Sequence, residues 1–318
     1  MKARNQAIAE ELNLSRRQML ALGAGGMAAL AMALQPRLAR ALGTSKLGEA
    51  DISVVSDGHL TLPLSFLAPE VPKADLDALL TANGLPTDAL KPDCNVTFFK
   101  SGDRLVVFDV GSGANFMPTA GELLANMEEA GISPSDVTDV IFTHAHPDHL
   151  WGLVDDFDEV VFPEANYYIG QAEWDFWRAD DTLANMSEER KTFVVGAQSR
   201  LAVLEDRINL IKPGQEVVPG VEAVDTAGHT PGHLSYMLHS GSDSMLVIGD
   251  AISNHVMSFI KPEWPSGSDQ DPAKGIETRK ALLDRLANDK SRIVGYHLPH
   301  PGEGRVERDG TAYRFAAG

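Results

Sequence analysis

Thr143-His144-Ala145-His146-Pro147-Asp148-His149 places three histidines and one carboxylate in the six residues from His144 to His149. It follows directly on the apolar run Val140-Ile141-Phe142. A short apolar run bounded by a turn reads as a buried strand. The histidines then fall on the loop just past the strand's end, where a rigid sheet can aim them. Neutral imidazole and carboxylate are the ligands that borderline metals such as zinc prefer. Four side chains so close in sequence do not easily wrap one tetrahedral ion. They can serve two neighbouring ions, His144 and His146 for one, Asp148 and His149 for the other. Only ten histidines occur in 318 residues, which sets this cluster apart from chance.

Working outward, the chain alternates strands and helices. Residues 52–55 and 59–62 flank Asp57-Gly58, a hairpin signal. Residues 63–72 hold three prolines and the apolar Leu64-Ser65-Phe66-Leu67, which reads as a loop with exposed hydrophobes. A short helix is expected over 74–82, strands over 95–99 and 104–110, and an amphipathic helix over 119–130 ending at Gly131. Residues 137–143 form the strand that feeds the histidine loop. In the second half, strands are expected over 221–224, 233–238, 244–248 and 292–295, with a helix over 272–287. A hairpin is expected over 306–314 around Asp309-Gly310. Between the halves, 172–207 reads as largely helical with a break near 180–184. Its aromatic residues Trp174, Phe176, Trp177 and Phe193 exceed what a solvated linker needs.

The spacing His144-x-His146-x-Asp148-His149 resembles the signature of the metallo-β-lactamase superfamily of hydrolases. Gly228-His229-Thr230-Pro231-Gly232-His233, Ile248-Gly249-Asp250-Ala251 and Gly295-Tyr296-His297 resemble its later ligand motifs in the same order. With the C-terminal Gly310-Thr311-Ala312-Tyr313-Arg314-Phe315, the pattern is most similar to the methyl parathion hydrolase branch, close to the quorum-quenching lactonases. The resemblance implies an α/β (α+β) fold, the αββα sandwich, with metals at one edge between two sheets. It implies two divalent ions, zinc being the expected metal. His144, His146 and His229 would hold one, Asp148, His149 and His297 the other, with Asp250 and a hydroxide bridging them. Asp148 and Asp250 are the candidate catalytic carboxylates.

The chemistry has its own logic. Two cations about 3.5–4 Å apart acidify a bridging water and stabilise charge developing on a carbonyl or phosphoryl oxygen. No Gly-x-Ser-x-Gly elbow offers a rival nucleophile. His233 is held apart from His229 by Pro231 and reads as a supporting residue. His297 competes with His300 and is favoured because it follows the strand directly. His59, His239 and His255 belong to no motif. Asp109, in Phe108-Asp109-Val110-Gly111, reads as an orienting carboxylate. Cys94, the only cysteine, reads as a small buried hydrophobe. Phe116, Trp177 and Phe193 match by local context the aromatic pocket of the methyl parathion hydrolases, and are the candidate substrate-binding residues. The lactonase branch carries a tyrosine where Ser253 stands.

The first 41 residues read as a cleavable export signal rather than part of the fold. Ser15-Arg16-Arg17-Gln18-Met19-Leu20 precedes a weakly apolar run to Leu34, and Ala39-Arg40-Ala41 offers a cleavage site. The paired arginines resemble the twin-arginine signal. Residues 42–318 are then a single hydrolase domain, periplasmic or secreted, with no stable membrane association after cleavage. The formal charge is −18. The first 41 residues hold six basic and two acidic side chains, which leaves −22 on the remainder. Such acidity repels phosphate backbones and argues against nucleic acid. The expected partner is a small-molecule substrate, and a homodimer is compatible with the sequence. The reading is an exported dinuclear hydrolase of an ester-like bond: aryl ester, phosphotriester or lactone. Rival readings are a β-lactamase, a glyoxalase-type thioesterase, and a non-hydrolytic diiron redox or metal-binding protein.

Overall fold

Alternation of side chains along the strands sets the layers. In 104–108 Val106 and Phe108 face one apolar layer and Val107 the opposite one, and all three are buried. A strand buried on both faces must lie inside a layered fold. The computed structural model describes residues 41–318, and the paired arginines and apolar run of the export reading lie outside them.

The first half contributes β1 (Leu42–Leu47), β2 (Ala50–His59), the short pair β3 (Leu62–Pro63) and β4 (Ala89–Leu90), and β5 (Asp93–Ser101). It continues with β6 (Arg104–Phe108), β7 (Asp139–Ile141), β8 (Asn166–Gly170) and β9 (Ile208–Ile211). Apart from β3 and β4, these form one seven-stranded sheet in the order β1-β2-β5-β6-β7-β8-β9. The second half contributes β10 (Glu216–Val218), β11 (Val221–Asp225), β12 (Leu234–Ser240) and β13 (Asp243–Val247). It closes with β14 (Arg292–Val294), β15 (Glu303–Asp309) and β16 (Ala312–Ala317), paired in chain order as a second seven-stranded sheet.

Phe99, Val106, Phe108 and Ile141 of the first sheet meet Val221, Tyr236, Met245 and Val294 of the second in the central layer. The Tyr236 hydroxyl donates to Phe142 O at 2.8 Å, tying the sheets beside the histidine loop. The outer face of the first sheet packs on helices Leu123–Ala130, Gln171–Arg178 and Lys191–Val203. The outer face of the second packs on helix Pro272–Asp289. The architecture is therefore helix, sheet, sheet, helix, as expected.

Parallel pairing matters for the site. β6 and β7 run parallel in one sheet, and β13 and β14 in the other. Parallel neighbours deliver their carboxyl ends to the same edge, where loops can converge. Asp109, His144, Asp250 and His297 each lie within three residues after one of these ends.

Several local expectations are corrected. Asp57-Gly58 is not a hairpin tip: β2 runs through it to His59. The Asp57 carboxylate is buried and accepts from Ser112 N, Ser112 Oγ and Leu123 N, each at 2.8 Å. Those bonds also delay the following helix, which begins at Leu123 rather than at 119. Leu64–Leu67 is a turn of helix with Leu64 buried, not a loop with exposed hydrophobes. The break in 172–207 is wider than expected, spanning a short helix Thr182–Asn185 before Lys191–Val203 begins. Strands β1, β4, β8, β9 and β10 went unread. They are short or lie at sheet edges where alternation is weak.

Candidate metal centre

His144 and His146 follow β7, His146 on extended backbone, and Pro147 then opens one helical turn, Pro147–Leu150, that carries Asp148 and His149. His229 sits in the turn before β12, Asp250 after β13 and His297 after β14. The Leu234 N–H donates to Thr143 O at 3.0 Å and holds the β12 end against the histidine loop. All seven sequence-proposed ligands are brought together and are buried.

Three ring nitrogens converge first. His144 Nε2 and His229 Nε2 lie 3.0 and 2.9 Å from His146 Nδ1. Beside them, His297 Nε2 lies 3.1 Å from Asp148 Oδ2 and 3.2 Å from Asp250 Oδ2. His149 Nε2 lies 3.3 Å from Asp250 Oδ1, while Asp250 Oδ2 also lies 3.4 Å from His229 Nε2. Asp250 therefore stands between the two groups, in contact with both.

The outer nitrogens decide which way the lone pairs face. His149 Nδ1–H donates to Asp109 Oδ2 at 2.8 Å, His229 Nδ1–H to Asp269 Oδ1 at 3.0 Å, and His297 Nδ1–H to Asp93 O at 2.8 Å. Thr143 Oγ1 gives its one hydrogen to Asp109 Oδ2, so it accepts from His144 Nδ1 at 3.0 Å. Each of these four rings thus turns Nε2 inward, the nitrogen that carries the lone pair in the neutral ring. Turning the Gln270 amide end for end would give its buried, unpartnered Oε1 the His146 Nε2–H, leaving Nδ1 to face the site. Such outer partners fix tautomer and ring orientation in metal sites. Asp109 does this from φ 64°, a left-handed conformation that costs a non-glycine residue about 1 kcal/mol or more. The bonds to Thr143 and His149 hold it there.

The electrostatics ask for positive charge. Burial and the neighbouring histidines hold His144 and His146 well below the ordinary imidazole range, so their converging nitrogens carry lone pairs. Burial also lowers His149 and His297, but the surrounding carboxylates overturn it and raise both well above that range. Burial raises the Asp148 carboxyl, and the charge on His149 outweighs it. Asp148 Oδ2, His149 Nε2 and Asp250 Oδ1 are buried without a hydrogen-bond partner. Three groups each bring their donor atoms within 4.8 Å of one another: His144 with His146 and His229, His144 with His149 and Asp250, and Cys94 with Asp148 and His297. The converging imidazoles, the buried carboxylates between them and the ligand atoms without a hydrogen-bond partner fit divalent cations.

His300 turns away, with Nδ1 2.7 Å from Asn95 Oδ1. His233 supports the site: its Nε2 accepts from Asp250 N at 3.0 Å, and its Nδ1 meets Thr226 Oγ1 at 2.8 Å. Cys94 is buried as expected, but against Asp148 and His297. Burial pushes its thiol up to about 12.

A largely apolar cleft opens on the cluster. Phe116 and Phe193 line it with Leu60, Phe66, Met257 and Trp264, and Ser253 is at its wall. The placement of Trp177 corrects the sequence reading. It has no exposed surface and is absent from the cleft lining. Its indole lies in the core behind His146, and its Nε1–H donates to Glu173 Oε1 at 2.6 Å. Asp93, Glu173, Asp269 and Gln270 were missed. Nothing in their local sequence distinguishes them from surface polar residues.

Fold and site together define a metal-dependent hydrolase. The sequence model of the metallo-beta-lactamase superfamily matches residues 91–297, and the chain belongs to that superfamily. Among solved structures it is similar to AidC, a dizinc quorum-quenching lactonase solved with a product (28% identity, TM-score 0.83, covering 87% of this chain and 97% of that one). It is also similar to AbOPH, a hydrolase of the beta-lactamase superfamily (28% identity, TM-score 0.81, with the same coverage). Metallo-beta-lactamase domain-containing protein 1 of Xenopus laevis is 26% identical over 197 residues, 62% of this chain and 68% of that protein.

Proposed function

We propose that this chain is an exported hydrolase with two divalent ions, most simply zinc, acting on lactones, aryl esters or phosphotriesters. The observation that carries this reading is the apolar cleft that ends on the histidine and aspartate cluster. His146, Asp148, His229, Asp250 and His297 form its floor, and Phe116 and Phe193 part of its wall. The likeness to a dizinc lactonase supports the same reading.

When bound, a pair of divalent ions supplies an acidified water and a positive surface for a carbonyl or phosphoryl oxygen. His144, His146 and His229 would hold one ion, Asp148, His149 and His297 the other, and Asp250 would touch both. The chain's own part is positioning. Phe116 and Phe193, with ring centres 6.2 Å apart and edge to face, offer a surface for a flat or apolar group. The apolar walls exclude water, which strengthens every charge interaction at the floor. Among the described residues, no acidic side chain outside the cluster lines the cleft. A substrate with a good leaving group or ring strain therefore fits better than an alkyl ester.

Arg190 and Lys261 also line the cleft, a pairing that sequence spacing did not reveal. Arg190 donates to Gly267 O, and Lys261 Nζ lies 3.9 Å from Glu263. They keep an anionic group within reach, so a β-lactam and a thioester belong in the test. Purified metal-loaded protein should turn over a lactone or aryl ester faster than either. Phe193→Ala should raise KM several-fold with metal content unchanged. Turnover of the β-lactam or thioester alone would overturn the proposal.

A further inference from the structure

Glu173 lies in helix Gln171–Arg178, directly after β8, and has no exposed surface. A buried carboxylate must have partners, since an unpaired one is very costly. Glu173 has four. Its Oε1 accepts from the Ala145 N–H at 2.9 Å and from the Trp177 Nε1–H at 2.6 Å. Its Oε2 accepts from the Thr230 hydroxyl at 2.7 Å and from the Gly232 N–H at 3.1 Å. None of the four is a cation.

The placement of these donors is the informative part. Ala145 stands between His144 and His146, and Thr230 follows His229. Each histidine of the first group is thus within one residue of a donor to Glu173. The two loops come from different sheets. The contact is also tight: a Cβ on Gly232 would lie 2.0 Å from Glu173 N, so only glycine fits the turn against this helix. The other ligand group has no bond to Glu173. Asp148, His149 and His297 are oriented instead by Tyr296, Asp109 and Asp93.

The geometry points to Glu173 as the positioning residue for the three-histidine half of the centre, clamping the His144–His146 loop to the His229 turn and setting the affinity of one ion position and not the other. The inference rests on the metal-centre reading, and goes beyond it by giving the two positions separate supports. Glu173→Gln keeps size but puts an amide N–H₂ against at least one obligate donor and removes the charge. Thr230→Val and Trp177→Phe each remove a single donor and keep the carboxylate.

The test is a chelator titration of the metal-loaded proteins, with the cobalt-substituted forms followed by visible absorption. A nitrogen-rich site and an oxygen-rich site give distinct bands. Glu173→Gln should weaken the nitrogen-rich equivalent by about tenfold or more, the range seen for outer partners of metal ligands. The other equivalent should hold. Thr230→Val and Trp177→Phe should weaken the same equivalent by less. A role in folding alone would lower the melting temperature without separating the two equivalents, and that result overturns the inference, as does equal loosening of both. If Glu173→Gln does not fold, the two milder variants decide by the same criterion. Wild-type protein that holds a single ion would defeat the two-ion reading instead. The clamp is then judged on whether these variants loosen that one ion.

Discussion

Burial pushes the Asp57 carboxyl up to about 6, against the hydrogen bonds from Ser112 and Leu123 that work to lower it. The unfolded value is about 3.9. A group whose native pKa is raised favours the fold most below the unfolded value, and that share is lost as pH rises through about 6. Two pKa units correspond to roughly 3 kcal/mol. Asp57→Asn, neutral throughout, removes this dependence. Urea unfolding of chelator-treated protein should therefore show the wild type losing stability relative to Asp57→Asn between about pH 4 and pH 7, by an amount of that order. A difference that stays flat with pH contradicts the buried-carboxylate account. Trp177 makes a second case at this scale. Its local context resembles a pocket residue, yet it lies wholly in the core. Trp177→Ala should cost about 3–5 kcal/mol of stability, the range for emptying a buried aromatic site. Phe193→Ala should instead show its effect in KM. Equal stability of the two variants would reverse the assignment. The seven clustered side chains were legible because each falls in its own motif. Their supports were not, because Glu173 finds its partners 28 and 57 residues away, and Asp269 meets His229 across 40. No local pattern records such pairings.

At the scale of elements, helix Lys191–Val203 carries Gly196 in its middle. On an exposed helix face Gly→Ala would stabilise by about 0.5–1 kcal/mol. Here an added Cβ would lie 2.3 Å from the Trp151 ring. Overpacking a filled site costs about 1–3 kcal/mol. Gly196→Ala should therefore lower the melting temperature, and an increase would show that the helix does not press on Trp151 as described. The same reasoning explains what sequence patterning missed. Apolar runs and caps located β5, β6, β7, β11 to β16 and the long helices. Where a turn signal met a long-range partner, the partner won, as when Asp57 became a buried acceptor instead of a hairpin tip. β8 and β10, five and three residues long, were not located.

For the whole molecule, the layered order followed from motif order because both halves deliver parallel strand ends to one edge. The cleft did not follow. Leu60 and Phe66, Phe116, Phe193, and Met257 and Trp264 come from four separated stretches, and only the folded chain sets them around the cluster. The central claim is that this edge holds two divalent ions joined through Asp250. Metal analysis of purified wild-type protein and Asp250→Ala, read beside their hydrolytic activity, tests it most directly. The account predicts two ions per chain in the wild type. Without the carboxylate, two cations would face each other unscreened, so the variant should lose at least one ion and most activity. Full activity with one ion or none, or an Asp250→Ala protein that keeps both ions and its activity, would contradict it.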